Sequence, residues 1–157
     1  MKHVVGDLLK LAKEGEFDVI FHGCNCHCVM GSGIALGVKK VFPEATAVDS
    51  GTIKGDKLKL GTLTAVTIVP ETGASVIVVN AYTQYGFNPK ESPLNYQALE
   101  LCLRQIRTLY HDKRIGYPAI GAGLGGGDWN KIYDIIKRVF DGLDHTYVEY
   151  DGNNLKC

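Results

Sequence analysis

The stretch FHGCNCHCVMGSGIA, residues 21–35, places His22, Cys24, Cys26, His27 and Cys28 within seven positions and follows them with Gly31 and Gly33. Three chemistries are open to such a set: a metal centre, a nucleophilic thiol, or a backbone cradle for an anion. A zinc site needs ligands that converge on one point, and the usual device is two residues between paired cysteines. Here the spacing is C-x-C-x-C. In an extended segment the three sulfurs share a side but are strung along about 13 Å. No second pair follows, because Cys102, His111 and Cys157 are scattered, so no metal is expected. A thiolate beside His22 or His27 would be a sensible nucleophile. Cysteine serves equally as a small buried apolar residue.

The third chemistry has the strongest local support. A β-rich run, DVIFH, feeds MGSGIA, which opens into a helical pattern. Such a junction offers unpaired backbone N–H groups and the positive end of a helix, a combination suited to phosphate. The device recurs in RIGYPAIGAGLGGGDWNKIYDIIKRVF, residues 114–140, with five glycines between Gly121 and Gly127. Two such loops can converge at the carboxyl ends of neighbouring strands, where open α/β sheets bind ligands. A pair of phosphates is the natural cargo. Gly121, Gly123 and Gly126 also satisfy G-x-G-x-x-G, but a dinucleotide-binding fold needs that motif at its first strand, with a long α/β region after it. Neither loop ends in the G-K-[ST] of a nucleoside-triphosphatase.

Positioning these loops requires alternating strands and helices. HVV precedes LLKLAKE, FDVIFH precedes IALGVKKVF, VIVVNAY precedes NYQALELCLRQIRTLY, and RIGYPAI precedes NKIYDIIKRVF. That rhythm predicts an α/β fold with helices on both sides of a sheet. GTLTAVTIVP and SVIVVNAYT, joined by ETGA, predict a hairpin and hence a mixed sheet. Leu94, Leu99, Leu101, Leu103, Ile106 and Leu109 fall mostly at helical spacing and mark a core-facing stripe. DSGTIKGDKLKLGT reads as a surface loop, with Lys54, Lys57 and Lys59 on a solvated face.

Residues 1–157 fit a single domain. Seventeen basic residues balance seventeen acidic ones. There is thus no global field for nucleic acid or anionic membrane, although a local basic patch remains open. No apolar run approaches the roughly 20 residues of a membrane span, and the first residues lack the apolar core of a signal peptide. A cytoplasmic protein is expected. Five unevenly spread cysteines are expected to be free thiols.

Taken together, an early VGD, then HGCNC, MGSGIA and a helix, then a late YPAIGAGLGGGDW and a helix resemble the macro domain family over nearly the whole chain. The resemblance implies a three-layer α/β/α sandwich that binds ADP-ribose. Within it, HGCNCHCVMGSGIALGVKKVFPEA followed by PLNYQALELCL resembles the ADP-ribose 1''-phosphate phosphatases, which are related to terminal ADP-ribose protein glycohydrolases. Carried over by position, Asp7 and the Leu8 backbone would meet the adenine 6-amino edge, and Tyr150 would pack on the ring. Met30, Gly31, Ser32, Gly33 and Ile34 would contact the diphosphate from one side. Gly121, Ala122, Gly123, Leu124 and Gly125 would contact it from the other. Asn25 would bind the distal ribose and, with His22 and Asp128, belong to the catalytic set, and the stretch Tyr82 to Gly86 should also lie near this ribose. His22 could bind or protonate a terminal phosphate, and Asp128 could orient water. Asp7 and Asp128 also suit helix caps, and His22 a hydrogen-bonded strand end.

The reaction so implied is removal of the 1''-phosphate with no metal and no cofactor, backbone donors stabilising the charge. The alternatives are a non-catalytic reader of ADP-ribose and a hydrolase acting on ADP-ribosylated protein or nucleic acid. The glycohydrolase relatives end their second loop G-x-G-L-D and draw a lysine from the strand that here reads VVNAY, and Gly125 stands at the aspartate's position. A lysyl covalent route is therefore not carried over. His27 and Cys28 stand where a polar residue and a glycine are frequent in the phosphatase branch.

Overall fold

The computed structural model describes residues 2–71, 73–88, 90–91, 93–122 and 126–152. The strands are β1 (Lys2–Gly6), β2 (Val19–Cys24), β3 (Leu63–Ile68), β4 (Val76–Tyr82), β5 (Ile115–Tyr117) and β6 (His145–Tyr150). The helices are α1 (Leu8–Lys13), α2 (Gly33–Val41), α3 (Pro43–Ser50), α4 (Tyr96–Tyr110) and α5 (Trp129–Val139), with one 3-10 turn over Lys57–Lys59. The strands form one sheet in the order β1-β6-β5-β2-β4-β3. All neighbours are parallel except β3 and β4, which pair antiparallel as the predicted hairpin.

Strand periodicity sorts the side chains into two cores. Val19, Phe21, Val79 and Tyr147 face α4 and α5, where Leu99, Leu103, Ile106, Ile132 and Ile136 complete one cluster. Ile20, Val76, Val78 and Val148 face α1, α2 and α3, packing on Leu9, Val38 and Ala45. The result is the three-layer sandwich that the sequence predicts. Helix α4 starts where the Asn95 side chain accepts from Ala98 N at 2.9 Å. Its buried stripe runs through Ala98, Leu99, Cys102, Leu103 and Ile106, whereas Leu101 and Leu109 are exposed.

The segment expected to be a surface loop is more structured than its composition suggests. Asp49 and Ser50 belong to α3, and Lys59 is buried rather than solvated. Its Nζ donates to Cys26 O at 3.1 Å and lies 4.8 Å from the Tyr82 ring centroid. The ammonium thus exchanges water for a carbonyl and a π-face.

Two histidines are buried on the sheet. His145 is hydrogen bonded to the Tyr117 hydroxyl at 2.7 Å, and burial pulls its pKa down to about 4. Burial also lowers that of His22. Unfolding restores a value near 6.5 to each, so the unfolded chain binds more protons between those limits. Stability is expected to be complete above about pH 6.5 and to fall as the pH drops towards 4, with His145 contributing at most about 3 kcal/mol. Urea midpoints at pH 7 and pH 5 measure this, and a flat profile for the protein beside a His145→Gln variant would refute it.

Candidate functional site

A cleft of about 1040 Å³ runs over the carboxyl ends of the parallel strands. Strand order fixes the sequence of its walls. At one end, β1 gives way to Asp7, whose Oδ1 caps α1 by accepting from Leu9 N (3.1 Å) and Lys10 N (3.2 Å). The β1–β6 register pairs Gly6 with Tyr150, so Asp7 and the half-exposed Tyr150 stand together. Next comes the loop after β5, with Gly121 and Ala122 on the lining, then the end of β2 with Cys24 and Asn25, and last the segment after β4 with Gln84 and Phe87.

Gly31, Ser32, Gly33 and Ile34 line the opposite wall. Ser32 is the N-cap residue of α2, in extended conformation and with no side-chain cap bond. The first backbone N–H groups of α2 are therefore not taken up by that side chain, and the helix end carries partial positive charge. Gly33 has φ of 60°, a left-handed turn that lets the chain enter the helix here. Across the cleft, Gly121 has φ of 73°, and a Cβ there would stand 2.5 Å from Leu94 Cδ1. Gly127 N donates to Gly121 O at 2.8 Å and closes the base of that loop. Gly123, Leu124 and Gly125 lie outside the described residues.

Asn25 lines the cleft and also builds its wall. Its Oδ1 accepts from His27 N (2.9 Å) and Val29 N (3.4 Å), while Nδ2 donates to Val29 O (2.8 Å). Inside this closed turn Cys28 has φ of 59°, the left-handed conformation that a glycine adopts without strain. Bonds from Cys28 Sγ to Asp49 O (3.3 Å) and to Thr52 Oγ1 (3.5 Å) hold the side chain there. Met30 is buried against α3, its sulfur accepting from Thr46 Oγ1 at 3.3 Å, and does not line the cleft.

The remaining candidates lie elsewhere. His22 has the parity of Ile20, facing the α3 layer, and is 1% exposed. Its Nε2 donates to Asn80 Oδ1 at 2.7 Å, and Asn80 Nδ2 in turn donates to Ala45 O (3.0 Å) and Thr64 Oγ1 (3.1 Å). The expectation that His22 meets a terminal phosphate is corrected, because the imidazole is enclosed in the core and is not part of the lining. Asp128 likewise caps α5, accepting from Asn130 N at 3.0 Å, and is absent from the lining. Asp128→Ala is expected to cost about 1 kcal/mol of stability, as for other N-cap losses, with turnover per folded molecule retained. Paired urea curves and rates check this, and a rate falling more than tenfold at unchanged stability would return Asp128 to the chemistry.

The three clustered cysteines go to three different partners. Cys24 Sγ lies 3.6 Å from His22 Nε2, Cys26 Sγ reaches Gln84 O at 3.6 Å, and Cys28 takes the contacts already given. Burial pushes the Cys24 thiol well above its usual range and raises that of Cys26. Among the described residues no three His, Cys, Asp or Glu side chains are placed to hold a metal ion. Nor does any described helix have the length and apolar character to cross a membrane.

Sequence reasoning placed the segment after β4 near the site without assigning side chains. Gln84 lines the cleft and is folded back by a bond from Nε2 to Gly86 O (2.8 Å). Tyr82 is fully buried, its hydroxyl donating to Asp49 Oδ1 at 2.7 Å. Phe87, missed altogether, sits on the rim and is 61% exposed. A sole phenylalanine in a polar stretch carries no periodic signal.

Comparison with known proteins agrees with this architecture. An uncharacterized 17.5 kDa protein of Enterobacteria phage T4 is 33% identical over 156 residues, covering 96% of this chain and 97% of that protein. A DNA ADP-ribosyl glycohydrolase of Mycobacterium tuberculosis is 27% identical over 138 residues, which are 88% of this chain and 38% of that protein. The macrodomain of Mycobacterium tuberculosis DarG superposes with a TM-score of 0.73 at 24% identity, covering 95% of each chain. Thermosipho africanus DarTG in complex with ADP-ribose gives 0.75 at 21%, covering 96% of this chain and 41% of that one. Residues 21–136 match the Macro domain model, and the chain belongs to the macro domain family.

Proposed function

We propose that this macro domain binds ADP-ribose and hydrolyses the bond that joins its distal ribose to a larger group, with nucleic acid as the leaving group. The observation that carries the reading is the order of the walls. Asp7 and Tyr150 suit adenine, the facing loops at Gly31–Ile34 and Gly121–Ala122 suit a diphosphate, and Asn25 borders the space beyond it. Backbone donors and a helix end bind phosphate oxygens at no cost of reorganisation. The charged lining residues, Asp7, Lys10, Lys13, Glu14 and Lys40, all belong to the α1 and α2 side. At the Asn25 end the described lining consists of amides, a neutral thiol and apolar groups. Among the described lining residues at that end there is no cation to meet a doubly charged terminal phosphate, and the exposed Lys54 and Lys57 stand on the loop beyond it. The DNA ADP-ribosyl glycohydrolase relative supports a bond to nucleic acid.

Phosphate removal from ADP-ribose 1''-phosphate is the second reading, supported by the resemblance of HGCNCHCVMGSGIA to that branch. Incubation with an ADP-ribosylated single-stranded oligonucleotide and, separately, with ADP-ribose 1''-phosphate decides between them. Free ADP-ribose from the first substrate is the expected result. Inorganic phosphate from the second alone would replace our reading by the phosphatase. Unchanged substrates with calorimetric binding of ADP-ribose would leave a non-catalytic reader, and calorimetry silent towards ADP-ribose would overturn all three.

A further inference from the structure

Past Asn25 the cleft opens at a knot of three loops. Cys26 N donates to Tyr85 O (2.9 Å), Gly55 N to Cys26 O (2.8 Å), and the Tyr85 hydroxyl to Gly55 O (3.0 Å). These bonds tie the loops after β2, α3 and β4 into one support. On it stand three rings: His27 meets Tyr85 edge-on at 4.8 Å and Phe87 edge-on at 5.9 Å. The Lys57 ammonium lies 5.2 Å from the Tyr85 centroid, and Lys54 is exposed on the same short loop. Asp56, the one carboxylate between them, uses Oδ1 to accept from Leu58 N at 2.9 Å.

An apolar ring that stays in water gives up roughly 1.5–3 kcal/mol of burial. Phe87 does so at a cleft rim, in edge contact with His27, and Val29, also on the lining, is 40% exposed. An exposed aromatic surface edged by lysines matches single-stranded nucleic acid, whose bases stack on rings while its phosphates take the cations. We infer that Phe87, oriented by His27, is a stacking platform for a nucleobase next to the ADP-ribosylated nucleotide, and that Lys57 and Lys54 hold the neighbouring phosphates. The inference rests on the proposed nucleic-acid reading and names the groups that would recognise that leaving group. A base paired in a duplex cannot present its face, so the platform selects single strands.

The test compares free ADP-ribose with an ADP-ribosylated trinucleotide, in deoxy and ribo forms, and with an ADP-ribosylated peptide. Dissociation constants are read by stopped flow before turnover. The trinucleotide is expected to bind at least fivefold tighter than ADP-ribose, the lower end of one base stacked on one ring. Phe87→Ala should bring that ratio to about one, Phe87→Trp should keep it, and Lys57→Gln should lower the salt dependence by about one phosphate contact. Equal gain from the peptide, or a ratio unaltered in Phe87→Ala, overturns the inference while ADP-ribose binding stands. Absence of ADP-ribose binding would instead remove the functional reading itself. The deoxy and ribo arms show which polymer is preferred.

Discussion

Gly31→Glu is expected to weaken ADP-ribose binding at least 100-fold while leaving the fold intact. A side chain at Gly31 meets open space: the nearest atom to its Cβ is Val29 Cγ1 at 4.0 Å, and the backbone is outside the left-handed region. The new carboxylate would enter the cradle formed with Gly121 and Ala122. Two unit charges about 4 Å apart at a protein surface repel by roughly 4 kcal/mol, and solvent screening still leaves the approximately 2.7 kcal/mol that 100-fold requires. Gly31→Gln separates charge from bulk, since it adds the same volume without the repulsion. Calorimetry on the three proteins is the measurement. Affinity for ADP-ribose equal to that of the unaltered protein in Gly31→Glu would move the diphosphate out of this cradle.

The second large effect concerns the core beneath the cleft. Asn80→Leu is expected to destabilise the fold by about 3 kcal/mol, because it strands the buried His22 imidazole and takes one contact each from the Ala45 carbonyl and from the Thr64 hydroxyl, which keeps the Tyr82 hydroxyl at 3.0 Å. For a chain of this size that is a fall of roughly 6–12 °C in Tm. Removing His22 as well, in the double variant with His22→Leu, should recover part of the loss, since one stranded polar group is then gone. Hydrolysis per folded molecule should persist in both. A His22→Leu protein of undiminished stability that has lost its activity would contradict the core assignment and put the imidazole back at the reaction.

The alternation of β-rich and helical runs was legible because sheet burial writes itself as periodicity, and both glycine-rich junctions ended up on the cleft. Helix α3 was not, for PEATAVDS has a weak apolar stripe and buries Ala45 and Asp49 instead. The burial of Asp49 depends on Tyr82, 33 residues away, and such a pairing has no local signature. His22 was misplaced although strand parity held the answer. Within β2 it shares a face with Ile20, whereas Asn25, just past the strand's end, reaches the cleft. Asp7 and Asp128 look alike in sequence, each opening a helix, and both do cap one. Only the first lines the cleft: Asp7 follows β1 directly, whereas Asp128 is turned to the first turn of α5. The rim ring at Phe87 became meaningful only when β4 was seen beside β2.

The pairing of β1 with β6 joins the two extremes of the described chain. His3 and Glu149, 146 residues apart, meet at 3.0 Å across that pair. Among the described hydrogen bonds this one spans the longest loop, and such contacts raise the contact order that slows folding. Asp7 and Tyr150 sit at its end, so the end of the cleft proposed for adenine is complete only when β1 and β6 have paired. A nascent chain that still lacks β6 can form the interior of the sheet but not this end of the cleft, so the proposed recognition of ADP-ribose waits for residues 145–150.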